Sequence, residues 1–521
     1  MTKKVFVLFC IFVLSRIIFI NPLPVFFDSP EYLARFSDTN YFQAILSGHI
    51  PFHAGFIALF WPAYHLGLTS NLNPAYVVIL AQILFSAIAV YCFYRFAMMI
   101  TEKKTALLAA VLASLFPLYW ITNASIMVES SYINYFLISL FFISFYAKKN
   151  QTIYYLIVGS ILFGLSMLTN PLVILWSPFL VSVVYFLNTK KTLKVTLAIV
   201  ATILFTVFIN GFLVAKSLQI PLLTGIHKYI FGEDLGVIPN VSSFLTIFRF
   251  IRNALLPLIQ NNTILVLLLS ILSLVKIFKI NKKLFIVSFL WIIPLIIVNQ
   301  WFNPLLLGRH GIIAEFGLAF LCAVYLEKKK LLTFVVIAYI LVISFPALTL
   351  LRQPVPYLEE QKYAQGLPKG LLIDTHFARP QIQGHYPGIV YFINEPSQTG
   401  DFEKTVDKYL KNHLPVFITS QALSDPYGLY SGPYLYPLSL SYANKFQLED
   451  SLPYLLNKYA VVDNDASIVI FKIVSKGNSK YPDIPNLSAN RRRIDYFDPL
   501  NQLWFLMERA KIIQSQNIIR G

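Results

Sequence analysis

Apolar runs of membrane-spanning length recur along residues 5–350, and the connections between them alternate in charge. A helix needs about 20 apolar residues to cross a bilayer. Runs near 5–21, 75–100, 105–122, 127–147, 152–169, 171–188, 195–215, 262–278, 284–300, 309–326 and 331–350 meet that length, eleven in all. Lysines cluster in every second connection: Lys3 and Lys4, EKK at 102–104, KKN at 148–150, TKKTLK at 189–194, KIFKINKK at 276–283 and EKKK at 327–330. The positive-inside rule puts these six on the cytoplasmic side and the intervening connections, 22–74 among them, outside. The alternation is unbroken if FHAGFIALFWPAYHLGL at 52–68, short and carrying Pro62 and two histidines, lies in the outer interface instead of crossing.

Composition agrees with this class. Charged residues make up 13% of the 521-residue chain and hydrophobic ones 57%, against about 25% charged in a soluble protein. The first run, VFVLFCIFVLSRIIFI, has no small-residue cleavage site and reads as a retained span. The net charge of +17 sits in membrane-flanking clusters, which speaks against nucleic acid. Cys10, Cys92 and Cys322 lie in apolar runs without metal-ligand spacing, and no disulfide is expected. No Walker loop, nucleotide-binding glycine motif or HExxH occurs.

Beyond residue 350 the chain reads as soluble. GLLIDT (370–375), GIVYFIN (388–394), LPVFITS (414–420) and SIVIFKIV (467–474) have strand character, and DFEKTVDKYLKNH (401–413) is an amphipathic helix. The expected fold is mainly α: a polytopic helical bundle over 1–350, a small extracytoplasmic α/β domain over 351–480, and a C-terminal tail over 481–521 with a helix-like stretch. With eleven spans the N-terminus is cytoplasmic and the C-terminal domain extracytoplasmic.

On that topology the chemistry-bearing residues gather on the outer face. Asp28 and Glu31 follow the first span in FFDSPEYLARFSD; Asp28 or Ser29 could equally cap the helix that begins there. Glu129 sits near the outer end of an apolar helix, where an ionisable group usually faces a cavity or a partner. His53, His227, Lys228, Arg249, Arg252, Arg309 and His310 supply basic or imidazole groups. Arg309 and His310 open a helix whose dipole opposes them, which an anionic partner would offset; interfacial snorkelling is the competing account. Early carboxylates and late cations on one face suit transfer from a lipid-linked phosphate. A carboxylate takes the proton of an acceptor hydroxyl, and cations hold the departing phosphate.

The order of these features resembles the GT-C superfamily of membrane glycosyltransferases, in particular the bacterial branch of protein O-mannosyltransferases and the aminoarabinose transferase. The resemblance rests on Asp28-Ser29-Pro30-Glu31-Tyr32 after the first span and on PFHAGFIALFWP with His53, which lacks the family's double proline. It rests further on LLAAVLASLFPLYWITNASIMVESSY with Pro117 and Glu129, on GLSMLTNPLVILWSP with Thr169 and Pro171, and on Arg309-His310 where the family often has Arg-Tyr. It covers residues 5–350. It implies inverting transfer from a polyprenyl-phosphate sugar to a glycan, lipid or protein acceptor, with Asp28 or Glu31 as base. Cofactor-free action is expected. A divalent cation on Asp28, Glu31, His53 and Glu129 is the alternative. The rival function is a transporter or flippase, which would show paired repeats and midplane charges. An oligosaccharyltransferase-type WWDYG signature is absent.

Overall fold

The computed structural model describes residues 3–20, 28–48, 52–149, 152–231, 264–301, 311–351, 361, 364–375, 382, 384–393, 399–419, 459–464 and 467–475. These fall into two compact units, Met1–Leu23 with Glu31–Arg352, and Pro24–Pro30 with Gln353–Gly521.

The first unit is helical: α1 Lys3–Ile17, α2 Asp28–Ser37, α3 Tyr41–Leu46, α4 Ala54–Thr69, α5 Pro74–Ile100, α6 Lys103–Leu115, α7 Pro117–Asn123, α8 Val128–Lys149 and α9 Ile153–Thr169. A 3-10 turn, Pro171–Trp176, then leads into α10 Ser177–Leu187, α11 Thr192–Leu218, α12 Leu222–Phe231, α13 Ile264–Ile280, α14 Lys282–Trp301, α15 Ile312–Leu326 and α16 Lys330–Leu351. Among the described residues three helices, within α5, α8 and α11, are long and apolar enough to cross a membrane; α6 and α7, bent at their junction, have that length and apolarity only as a pair, and shorter apolar helices accompany them. The chain is a multi-pass membrane protein. The segment expected in the outer interface forms α4.

The run at 105–122, expected as one span, is two helices meeting at 66°. Pro117 is the cause. Proline disfavours the helical region for its predecessor, and Phe116 is extended at φ −60°, ψ 130°. Proline also lacks the N–H that would continue the ladder. The carbonyls freed at the break find donors elsewhere, as apolar surroundings require. Ser344 of α16 donates its Oγ to Leu115 O at 2.9 Å, and Arg16 of α1 donates Nη2 to Ser114 O.

Helix α8 is the most enclosed of the long helices and packs on α5, α9 and α10. Its buried polar side chains join those of α5 and α7. Asn134 donates to Ser86 Oγ at 2.7 Å, Tyr119 donates to Asn134 Oδ1 at 2.9 Å, and Ser86 Oγ bonds Asn123 Oδ1. Gln82 Nε2 serves the carbonyl of Thr122 and, at 2.9 Å, that of Ser125. This network fixes the turn that delivers Glu129. A second anchor is Trp291 of α14, which donates to Ile313 O at 2.9 Å while its own carbonyl accepts from Trp176 at 2.8 Å. Gly317 of α15 lets the Trp291 ring approach: a Cβ there would lie 2.9 Å from it.

The second unit contains a five-stranded sheet ordered β2-β1-β3-β5-β4, from β1 Leu371–Thr375, β2 Ile389–Ile393, β3 Val416–Thr419, β4 Tyr459–Asn464 and β5 Ser467–Ser475, with helix α17 at Thr399–Lys411. Strand β1 runs parallel to both β2 and β3; β5 is antiparallel to β3 and β4. Strand β1, flanked by β2 and β3, reads LLI without alternation because its side chains are buried on both faces. Strand β4 had no counterpart among the expected strands. The 481–521 tail lies outside the described residues.

Candidate active site

Helix α2 is amphipathic. Tyr32, Arg35 and Phe36, spaced i, i+3, i+4, are buried, and Glu31 is part-exposed beside them. Arg35 is 3% exposed, and its guanidinium works as a clasp. Nε donates to Ala44 O at 3.0 Å; Nη2 donates to Ile45 O at 2.9 Å and Phe52 O at 2.5 Å. Nη1 stands 3.7 Å from Glu31 Oε1. Gly48 makes room, since a Cβ on it would fall 2.3 Å from Arg35 Cζ. Burial lowers the Arg35 pKa, and Glu31 and Tyr32 partly restore it. One side chain thus joins α2, the end of α3 and the strand of backbone that leads into His53.

His53 is buried and left-handed (φ 49°, ψ 38°). Its Nδ1 lies 2.7 Å from Thr169 O at the end of α9. A carbonyl only accepts, so Nδ1 carries the proton and the neutral ring has its lone pair on Nε2. Tyr32 meets the ring edge-on, centroids 5.8 Å apart. Gly55 allows α4 to sit against α9: a Cβ would lie 2.2 Å from Thr169 Oγ1 and 2.4 Å from Leu165 O. Tyr135 of α8 donates to Gly55 O at 3.2 Å. Asn170 then caps the 3-10 turn through Leu172 N at 3.0 Å.

Glu129 lies in the first turn of α8 and is 1% exposed. A carboxylate there is favoured by the helix dipole. Its neighbours Ile126 and Val128 belong to one apolar cluster with Tyr32, Phe36 and Phe52. Leu213, Val214 and Tyr229 join the same cluster. Helix α12 reaches it because Gly211 and Gly225 let α11 and α12 touch, a Cβ on Gly225 meeting Gly211 O at 2.5 Å. Asn210 donates to Tyr229 OH at 3.0 Å. His227 and Lys228 occupy the exposed side of α12.

The structure therefore brings Glu31, His53 and the Glu129 turn around one cluster, with His227 and Lys228 on a helix packed against it. Asp28 opens α2, but its side chain lies outside the described residues, as do Arg249, Arg252, Arg309 and His310. Sequence reasoning missed the roles of Arg35, Gln82 and Tyr135. The spacing of Gln82 and Ser86, two polar residues one turn apart in an apolar helix, was the available signal. His65 is held by its neighbours: its ring lies tilted at 43° to that of Trp61, centroids 4.1 Å apart, with Nε2 3.2 Å from Asp38 O. Among the described residues no group of three or more His, Cys, Asp or Glu stands close enough to hold a metal ion.

Comparison with known proteins leads to one class. Residues 60–214, from within α4 to within α11, match the family model described as dolichyl-phosphate-mannose-protein mannosyltransferase. The structure is similar to the oligosaccharyltransferase of Archaeoglobus fulgidus tethered to an acceptor peptide containing the NVT sequon, with TM-score 0.50 and 10% identity over 96% of this chain and 78% of that one. The apo form of the same enzyme gives TM-score 0.50 and 10% identity over 93% and 75%. Its complex with zinc and sulfate gives 0.48 and 10% over 90% and 73%. No curated protein matches the chain in sequence. The mannosyltransferase model and the archaeal enzyme are both GT-C superfamily proteins, so the resemblance drawn from the motifs holds. At 10% identity the archaeal likeness speaks to fold alone.

Proposed function

We propose that this chain transfers a sugar from a polyprenyl-phosphate donor to an acceptor hydroxyl at the extracytoplasmic face of the membrane, with inversion. The observation that carries this reading is the meeting of α2, His53 and the α8 start around one cluster, within a chain whose residues 60–214 match a lipid-phosphate-sugar transferase model. The acceptor proton passes to a carboxylate as the acceptor oxygen bonds the anomeric carbon, and the bond from that carbon to the phosphate oxygen breaks on the opposite face. Glu31 shares its charge with Arg35, 3.7 Å away, which favours Asp28 as the base. Glu129, in the first turn of α8, orients the acceptor or the sugar. Arg249, Arg252, Arg309 and His310, with His227 and Lys228, hold the departing phosphate, a role suited to charge-assisted bonds. A divalent cation on the carboxylates would supply part of that charge compensation. In this reading the six lysine clusters face the cytoplasm and residues 351–480 form an extracytoplasmic domain. The transporter reading is not favoured by the comparisons.

The test is transfer from a radiolabelled polyprenyl-phosphate hexose in purified membranes. Wild type consumes the donor, and folded Asp28→Asn loses about 100-fold of the rate, while Glu31→Gln loses less. Equal consumption by both variants removes the acidic motif from catalysis.

A further inference from the structure

A cavity of about 310 Å³ opens among the membrane helices on another side of the first unit. Leu8, Phe12 and Arg16 of α1 line it lengthwise, Val111 of α6 and Trp120 of α7 close one wall, and α5 and α16 supply the rest. None of its lining residues belongs to the apolar cluster around His53. From Leu8 to Arg16 the groove follows α1 for about 12 Å. It is apolar along its length and cationic at one end.

That end is unusual. Arg16 is 1% exposed in an apolar wall. Its guanidinium lies over the Phe12 ring at 3.8 Å and the Trp120 ring at 4.5 Å. Of its five N–H groups, one on Nη2 goes to Ser114 O and one on Nη1 to Ser15 Oγ at 3.0 Å. Nε, also buried, meets no acceptor among the described residues. Among those residues the ion pair present is Glu31–Arg35, so no carboxylate answers Arg16. Intramembrane cations are normally paired. Two aromatic faces and a carbonyl hold this one in place and leave donors for an anion. The planar guanidinium fits a phosphate, which can accept two parallel bonds.

We propose that the groove binds an anionic phospholipid of the bilayer, its phosphate on Arg16 at the α7 end and an acyl chain running along α1 toward Leu8. The site is separate from the proposed transfer reaction. It shares no residue with the cluster where a donor phosphate would react, so a bound bilayer lipid fits better than the donor's own chain.

The experiment is native mass spectrometry of the full chain released from nanodiscs of phosphatidylglycerol and phosphatidylcholine in equal amounts. Wild type retains one phosphatidylglycerol with about tenfold preference. Arg16→Gln loses that preference. Val111→Trp fills the groove, leaves the Arg16 bonds intact and loses the retained lipid, which keeps the test decisive if Arg16→Gln fails to fold. Equal retention of the two lipids by wild type, or retention unchanged in folded Val111→Trp, overturns the proposal. Displacement of phosphatidylglycerol by equimolar polyprenyl phosphate also overturns it, by assigning the groove to the sugar carrier.

Discussion

Arg35 and Gly48 form one device, and a double-mutant cycle exposes it. Arg35→Ala removes three charge-assisted bonds, to Ala44, Ile45 and Phe52 carbonyls, and leaves Glu31 without its cation. Each such bond contributes about 1.5–3 kcal/mol. Water entering the vacated space recovers part of this, so the net loss is about 3–5 kcal/mol. Gly48→Ala acts on the same clasp from the other side. The new Cβ would fall 2.3 Å from Arg35 Cζ and Nη1 and must push the guanidinium off its acceptors. Overpacking of this kind costs about 1–3 kcal/mol. If the clash with Arg35 is the whole cost, Gly48→Ala in the Arg35→Ala background costs almost nothing, whereas independent sites add within about 0.5 kcal/mol. The assay is denaturant unfolding in mixed micelles of wild type, both single variants and the double variant. Additive losses, or an Arg35→Ala variant as stable as wild type, would refute the clasp.

His53→Ala keeps the fold but lowers sugar transfer at least tenfold in the membrane assay, because the imidazole set by Thr169 O is gone. Gly55→Ala drives a methyl into Thr169 Oγ1 and the Leu165 carbonyl, and loses about 1–3 kcal/mol in micelle unfolding. Gln82→Leu leaves the Thr122 and Ser125 carbonyls without their donor. It costs about 2–3 kcal/mol and slows transfer as well, since the turn before Glu129 loosens; unchanged transfer would separate that turn from the site.

The regularly patterned parts of this molecule were legible in the sequence. Every apolar run that was read as a span contains a helix, and GLLIDT, GIVYFIN, LPVFITS and SIVIFKIV each contain a strand. His53 and Thr169, quoted in two separate motifs of the family resemblance, turn out to bond each other. Arg35 carries no signal of its own in FFDSPEYLARFSD. Its acceptors are backbone carbonyls of Ala44, Ile45 and Phe52, and backbone groups leave no mark in a residue pattern. The break at Phe116 was foreshadowed by Pro117, yet the apolar run passes straight through it, so hydropathy alone merges α6 and α7. Strand β4 was overlooked because it closes the sheet at one edge and ends in Asp-Asn, residues that read as a turn.

The bend between α6 and α7 also bears on the lipid around it. Helix α6 has 13 residues before the break, about 20 Å of straight rise, and α1, tied to it through Arg16 and Ser114, has 15 residues, about 22 Å. A bilayer core is about 30 Å thick. Neither helix alone matches that thickness, and a hydrophobic stretch shorter than the core is accommodated by local thinning of the bilayer.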